Sequence, residues 1–172
     1  MAMRSVRDAR DVLESLGATQ RLLTHGLLVA EAAEALLATM RRLGVSVDEA
    51  RVLAGAVLHD AGKIVHPSEL DAPGASHEKA GESLLLAHGV DPHVAHMCVS
   101  HAAWADPSCT LEDRLVALAD ALWKGVRRPA LEGLIIDEVA RRLKADRWAP
   151  FMDLDTSFES VSDRGSERLA RS

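Results

Sequence analysis

Aromatic residues and cysteines are scarce in this chain of 172 residues. Aromatics make up 3% of the residues and Tyr is absent. Strands favour aromatic and β-branched side chains, whereas the abundant Ala, Leu, Glu and Arg favour helices, so the composition predicts an all-α protein. The two cysteines, Cys98 and Cys109, are too few for a disulfide framework or a thiolate zinc site. Reduced thiols are therefore expected.

Clustered positive charge and long apolar runs are lacking too. The net charge of −6 argues against a surface for nucleic acid or anionic membrane, because those partners select clustered Lys and Arg. We find no apolar run of the about 18 to 20 residues that a membrane span requires, and no apolar stretch of signal-peptide type near the start. The sequence predicts a cytoplasmic protein that binds neither nucleic acid nor a membrane. It does not exclude a homodimer.

The length and the 48% hydrophobic content suit one domain with one core. Apolar residues recur at helical spacing over most of the chain, which predicts a helical bundle. We expect a leading helix within residues 1–19, a helical domain over residues 20–145 and a partly irregular tail over residues 146–172, where large apolar residues are few. Residues 64–75, which contain Pro67 and Pro73, are expected to form a mobile loop.

Four polar residues lie within apolar helical patterns. His59 and Asp60 end the helix that follows Gly44, His25 lies on the apolar stripe of residues 20–43, and Asp120 is the one charge in residues 115–122. A carboxylate in so apolar a run is costly to bury unless it is hydrogen-bonded or binds a metal. Two nitrogen and two oxygen donors suit a divalent metal that activates water. Hydrogen-bonded structural roles are the alternative.

Two further histidines, His77 and His101, are predicted to face inward, while His93 and His96 are assigned to the surface of the same helix as His101. His77 and His101 could ligate a second metal bridged by Asp60, or orient water or phosphate beside the ligands. Lys63 follows the His-Asp pair after a glycine, so it is a candidate phosphate contact or acid, with an ordinary solvated lysine as the alternative.

The order His25, His59-Asp60, Asp120 resembles the HD superfamily of metal-dependent phosphohydrolases. The sequence Leu-His-Asp-Ala-Gly-Lys at residues 58–63 is similar to the family's HD-x-x-K form. His-Glu-Lys-Ala-Gly at residues 77–81 is similar to its His-x-x-x-Gly helix, and Ala119-Asp120 to its closing Ala-Asp. The resemblance covers roughly residues 20–125. It implies an all-α core with a metal at its centre.

This resemblance implies hydrolysis of a nucleotide or another small phosphoester by metal-activated water. Asp60 and Lys63 would be catalytic, and Lys63, Lys124 and Arg127 would bind substrate. One or two divalent transition metals are implied, drawn from Fe, Mn, Co, Ni and Zn, because His and Asp serve all five. The extra His77 and His101 resemble the two-metal subset, such as the iron-dependent hydrolases that split dinucleoside tetraphosphates symmetrically.

Two departures from family patterns bear on the substrate. Those tetraphosphate hydrolases tend to follow the closing Ala-Asp with an acidic-proline-arginine segment, whereas this chain has Ala-Leu-Trp-Lys-Gly-Val-Arg at residues 121–127. A chain without Tyr also lacks the Gly-Tyr-Pro signature of the cyclic-dinucleotide phosphodiesterases.

Two other functions stay open at the level of sequence. The first is a di-iron oxygenase, because superfamily members with extra histidines activate dioxygen. The second is a non-catalytic regulatory module that binds a nucleotide or a metal without turnover. Trp104 is a candidate for base stacking, with loop packing as the alternative, while Trp123 and Trp148 are predicted to pack in the core.

Overall fold

The fold is a bundle of α-helices, seen in a computed structural model that describes residues 5–172. No β-strand occurs in these residues, which confirms the predicted all-α class. The α-helices, in chain order from α1 to α9, are Val6–Ser15, Gln20–Leu43, Glu49–Leu58, Ser76–Ala87, Pro92–Ser100, Leu111–Leu122, Pro129–Leu143, Trp148–Asp163 and Gly165–Leu169. Short 3-10 turns at Ala61–Ile64 and Pro67–Leu70 lie between α3 and α4.

Local sequence signals define several helix ends. Thr110 and Asp113 form the predicted capping box at the start of α6, and the Asp91 side chain caps α5 with Pro92 as its first residue. Gly44 ends α2 in the left-handed conformation, with φ 72°. The sequence Ser-Val-Asp-Glu at residues 46–49 predicts a capping box that starts at Ser46, and this prediction is wrong. The Asp48 carboxylate instead accepts the Arg51 backbone N–H at 3.1 Å, and α3 begins at Glu49.

The long helix α2 lies at the centre of the bundle and packs against α1, α3, α6 and α8. Contrary to the sequence expectation, α2 has the length and hydropathy of a membrane span, with a mean hydropathy of 1.3 over its best 18-residue window. The core helix of a globular bundle meets the same criterion, and 61% of that window is buried inside the fold. Its apolar surface is thus largely used by its neighbours.

The C-terminal segment is more ordered than the sequence predicts. Residues 146–172 were expected to be partly irregular, yet most of them form α8 and α9. Leu154, Phe158 and Val161 recur at helical spacing, so even these few apolar residues form one buried face of α8. Trp148, predicted to pack in the core, is 68% exposed instead.

Candidate metal centre

The ends of α2 and α3 approach closely at the centre of the bundle. A Cβ atom on Gly26 would lie 2.6 Å from the Val57 backbone oxygen, so only glycine permits this helix contact. The contact brings His25, the neighbour of Gly26, beside His59 at the end of α3. The Nε2 atoms of the two rings are 3.3 Å apart.

The four residues predicted as ligands converge on one point. His25 Nε2 lies 3.1 Å from Asp60 Oδ2 and 3.6 Å from Asp120 Oδ1. His59 Nε2 lies 3.6 Å from the same Asp60 oxygen and 3.4 Å from the same Asp120 oxygen. Donor atoms around a metal with bonds of about 2.1 Å are separated by about 3.0 to 3.4 Å in octahedral or tetrahedral geometry. His25, His59 and Asp120 therefore form a group of donor atoms that could hold one divalent metal, and Asp60 Oδ2 lies beside both histidines of that group.

The two oxygens of Asp60 contact different histidines. Oδ2 is near His25 and His59, whereas Oδ1 is 3.2 Å from His77 Nε2 and 3.9 Å from His101 Nε2. Donor atoms of His59, Asp60 and His101 form a second group in which all lie within 4.8 Å of one another. This arrangement matches a carboxylate that bridges two metal positions.

Hydrogen bonds orient three of the rings so that Nε2 is free for a metal. The Nδ1 atom of His59 is 2.9 Å from the Ala56 backbone oxygen, and that of His101 is 3.1 Å from the Met97 backbone oxygen. The Nδ1 atom of His77 is 2.5 Å from Glu69 Oε2. A carbonyl or carboxylate that accepts from Nδ1–H fixes the orientation of the ring, so that Nε2 is the nitrogen directed toward the metal position.

A second glycine contact places α4 against the His-Asp pair. A Cβ atom on Gly62 would lie 1.8 Å from the His77 backbone oxygen and 2.6 Å from the Gly81 backbone nitrogen. The turn after Asp60 therefore packs directly on the first turns of α4. This backbone contact holds His77 within reach of Asp60.

Electrostatics within the cluster shift the histidines in opposite directions. Burial alone would lower the pKa of His59, but the negative charges of Asp60 and Asp120 outweigh burial and raise it to about 9. Burial and the nearby positive charge of His59 lower the pKa of His101 to about 4. Burial would raise the pKa of Asp60, yet His59, His25 and His77 hold it well below its usual value. Both aspartates of the cluster are therefore ionised at neutral pH, since the pKa of Asp120 is also lowered.

The cluster forms part of the wall of a cavity of about 830 Å³. Its lining includes His25, Asp60, Lys63, Trp123 and Lys124. The Lys63 ammonium lies 2.6 Å from Asp60 Oδ2, and the Trp123 ring lies 5.0 Å from that of His25 in an edge-on contact. We call this the main cavity.

A smaller cavity of about 310 Å³ lies on the other side of the cluster. It is lined in part by His101, Trp104 and Asp120, and Lys124 lines both cavities. Trp104 is partly buried and packed on the core, so packing accounts for its position.

Arg127, a sequence candidate for substrate contact, lies elsewhere. Its guanidinium makes two hydrogen bonds of 2.8 Å to Glu132 and one of 2.7 Å to Asp155, and it lines neither cavity. The turn after α6 directs Lys124 toward the site and Arg127 toward α7 and α8. Arg127 is therefore an ion-pair residue between helices.

Sequence reasoning missed three residues of the site. Glu69, in the turn Pro67–Leu70, orients His77 and accepts the backbone N–H groups of Ser76 and His77 at 3.2 Å each. Arg21 and Arg171 line the main cavity. Helical periodicity carries no signal for a side chain that reaches the site from a turn or from the far end of the chain.

Comparisons with known proteins agree with this geometry. A family model described as HD domain matches residues 22–123, which include His25, His59, Asp60, His77, His101 and Asp120. Ribonuclease Y of Treponema pallidum (strain Nichols) is 34% identical over 110 residues, which are 64% of this chain and 20% of that relative. No solved structure gives a significant match.

The match covers more than half of the chain, and the residues that it spans build the metal-compatible cluster. HD domains bind divalent metals, and their superfamily consists of metal-dependent phosphohydrolases. The chain belongs to the HD domain family.

Proposed function

We propose that this protein is a metal-dependent hydrolase of a small phosphorylated molecule, with a nucleotide as the favoured substrate. The main support for this proposal is the arrangement of the site: His25, His59, Asp60 and Asp120 lie beside a cavity of about 830 Å³. Lys63 and Lys124 line the same cavity. Cavities of about 300 to 1,000 Å³ hold small organic ligands, so the volume supports a molecule of nucleotide size.

His25, His59, Asp60 and Asp120 would hold the first metal. A divalent metal at that point supplies a water of lowered pKa and polarises a phosphoryl oxygen. His59 is fixed by its bond to Ala56, so its Nε2 needs no reorientation to act as a ligand. His25 is restrained in the same way by the Trp123 ring.

Lys63 would bind the phosphoryl group that is hydrolysed. Its ammonium is held 2.6 Å from Asp60 Oδ2, its side chain is 20% exposed, and it lines the main cavity. A cation in this position neutralises charge that develops on the phosphoryl oxygens during in-line attack. Lys124, which lines both cavities, would bind a more distant part of the substrate.

His77 and His101 would complete a second metal position on the Oδ1 side of Asp60. Fe, Mn, Co, Ni and Zn all accept such nitrogen and oxygen donors. Elemental analysis of protein purified without oxygen or added metal gives the stoichiometry: about two equivalents are expected if both histidines are ligands, and about one if they only orient water or phosphate.

The name of the Treponema relative describes a ribonuclease, which makes RNA a second substrate to test. The net charge of −6 favours a small molecule over an anionic polymer. The matched segment is also only 20% of that relative.

Phosphate release from a set of nucleotides, and shortening of RNA on a denaturing gel, with each of the five metals in turn, test the proposal. We expect turnover of small phosphoesters that Asp120→Asn reduces by about a thousandfold or more, because a metal ligand loses its charge. Asp153→Asn, which changes an exposed carboxylate of α8, serves as the matched control and keeps wild-type activity.

Three outcomes would contradict the proposal. Dioxygen uptake without phosphate release would indicate an oxygenase. Tight nucleotide binding without turnover with any of the metals would indicate a regulatory module. If Asp120→Asn hydrolysed the substrate as fast as the wild type does, the cluster would not be the site of hydrolysis.

A further inference from the structure

The main cavity is cationic although the protein is acidic overall. Of the described side chains that line it, those of Arg21, Lys63, Lys124 and Arg171 are cations and that of Asp60 is the one acid. The whole chain has a net charge of −6. Clefts lined by one sign of charge concentrate ligands of the opposite sign, so this cavity suits an anion with more than one negative group.

The C-terminal helix α9 forms part of this wall and is firmly anchored. A Cβ atom on Gly165 would lie 2.3 Å from the Gly125 backbone nitrogen, and Ser162 Oγ donates to the Gly125 backbone oxygen at 3.1 Å. The junction of α8 and α9 is thus packed on the turn that carries Lys124. Leu169, Arg171 and Ser172 follow from it along the cavity.

A buried ion pair fixes the other side of α9. Arg168 is 1% exposed, and its guanidinium donates to Glu31 Oε1 at 3.1 Å and to the Val161 backbone oxygen at 2.7 Å. A fully buried arginine is costly unless it is paired in this way, so the contact defines the position of α9. Arg171 lies in the turn directly after α9, so the packing of that helix holds it at the wall.

Arg171 retains free donors. Its Nη2 atom donates to both oxygens of Glu31, at 3.1 and 2.9 Å, while its Nε and Nη1 atoms form no hydrogen bond within residues 5–172. The two terminal nitrogens of Arg21 donate hydrogen bonds to Asp71 and to the Leu70 backbone oxygen. Lys124 makes no hydrogen bond or ion pair with any described residue.

These cations occupy a different part of the wall from Lys63. Lys63 contacts the cluster directly through Asp60. Arg21 and Arg171 are instead held by Asp71 and Glu31, which belong to neither group of potential metal donors. The main cavity thus has one cation at the metal centre and others beyond it.

We propose that α9 and the turn that follows it form a substrate-binding element in which Arg171, with Arg21 and Lys124, binds a second anionic group of the substrate. The substrate class is then a small molecule with two or more phosphate groups, of which one lies at the cluster and another at these cations. This inference rests on the proposed function for its first phosphate position. Arg171 lies outside residues 22–123, so the family match by itself carries no information about it.

The test compares Arg171→Ala with Arg164→Ala in the full chain. Arg164 is a matched control because it lies at the start of the same segment, is also about half exposed and pairs with a nearby glutamate, yet does not line the cavity. Calorimetry with inorganic triphosphate on metal-free protein measures binding without turnover. We expect Arg171→Ala to weaken binding about tenfold, as for loss of charge-assisted hydrogen bonds, and Arg164→Ala to leave it unchanged.

Kinetics on the metal-loaded protein give a second readout. For a nucleoside triphosphate, Arg171→Ala should raise KM about tenfold with little change in kcat, whereas KM for a nucleoside monophosphate should change less than about twofold. Arg171→Lys should restore part of the affinity, since it keeps the charge but loses the planar fork.

The outcomes separate the two proposals. Equal triphosphate binding by Arg171→Ala and Arg164→Ala would overturn the role of α9, even if the wild-type protein hydrolyses phosphoesters. Arg171-dependent binding of triphosphate, together with no hydrolysis of any phosphoester by the protein loaded with each of the five metals, would support the role of α9 and overturn the proposed hydrolysis.

Discussion

The metal centre and the cationic wall of the main cavity are built in different ways. At the centre, His59 and Asp60 are almost fully buried and contact side chains from α2, α4 and α6. At the wall, the side chains of Arg21 and Arg171 are 62% and 47% exposed and Lys124 is unpaired among the described residues. The buried part suits chemistry that needs fixed ligands, whereas the exposed part suits recognition of a soluble anion.

The largest effect is expected from substitution of Gly62, which packs on α4 beside the candidate metal centre. We expect Gly62→Ala to destabilise the fold by about 3 kcal/mol, because its Cβ atom would lie 1.8 Å from the His77 backbone oxygen and the backbone of α4 must shift. Metal content should fall with it. Chemical denaturation and elemental analysis measure the two effects.

Gly133→Ala is the matched control for that substitution. Gly133 lies within α7, and its Cβ atom would meet a side-chain nitrogen of Arg147 at 3.5 Å, an ordinary contact, so the change should stabilise the fold by about 1 kcal/mol or less. Equal stability of the two variants would show that the contact between Gly62 and α4 is not needed.

Metal binding should depend strongly on pH. Because the pKa of His59 is about 9 in the metal-free fold, its proton must leave before Nε2 can bind a metal. Metal affinity should therefore fall by about tenfold per pH unit between pH 8 and pH 6. Calorimetry in buffers of different ionisation enthalpy should detect about one proton released per chain at pH 7.

The same pKa fixes the sign of a stability effect. The histidine pKa in an unfolded chain is about 6.5, so protonated His59 stabilises the metal-free fold fully below that pH. This contribution is lost as the pH rises through about 9. A stability curve of the metal-free protein that rises between pH 7 and pH 9 would contradict the assignment.

Substitution of Glu69 should lower metal affinity, with a smaller effect than the changes described above. Glu69→Gln removes the negative charge behind His77 and should weaken binding at the second position about tenfold. Glu82→Gln is the control, since that carboxylate pairs with the exposed His96 at 2.8 Å away from the centre. Titration with Mn²⁺ measures both, and equal affinities would remove Glu69 from the site.

The smallest effect is expected at Lys124. Lys124→Ala should raise KM for a phosphorylated substrate about fivefold with kcat little changed, because an exposed cation contributes modestly to binding. Lys79→Ala, at an exposed position of α4, is the control. A loss in kcat as large as that of Asp120→Asn would place Lys124 at the reacting phosphate instead.

Much of the fold could be predicted because its signals are local. Apolar spacing predicted the helices around His25 and Asp120, and side-chain chemistry predicted the cap at Thr110. The segment over residues 146–172 was expected to be partly irregular because its few apolar residues give only a weak helical pattern. In the fold, α8 packs on α2 and α7, and these few residues form its buried face.

The sequence by itself determined the all-α class and the set of inward His and Asp residues, because helical periodicity places each on a buried face. Their convergence, with donor atoms 3.1 to 3.6 Å apart, depended on close helix contacts at Gly26 and Gly62. Tertiary structure alone decided that Arg127 pairs with Glu132 and that Arg171 reaches the cavity from the far end of the chain. The direction of a long side chain after a turn is set by the charges that the fold brings near it, and no local pattern records those charges.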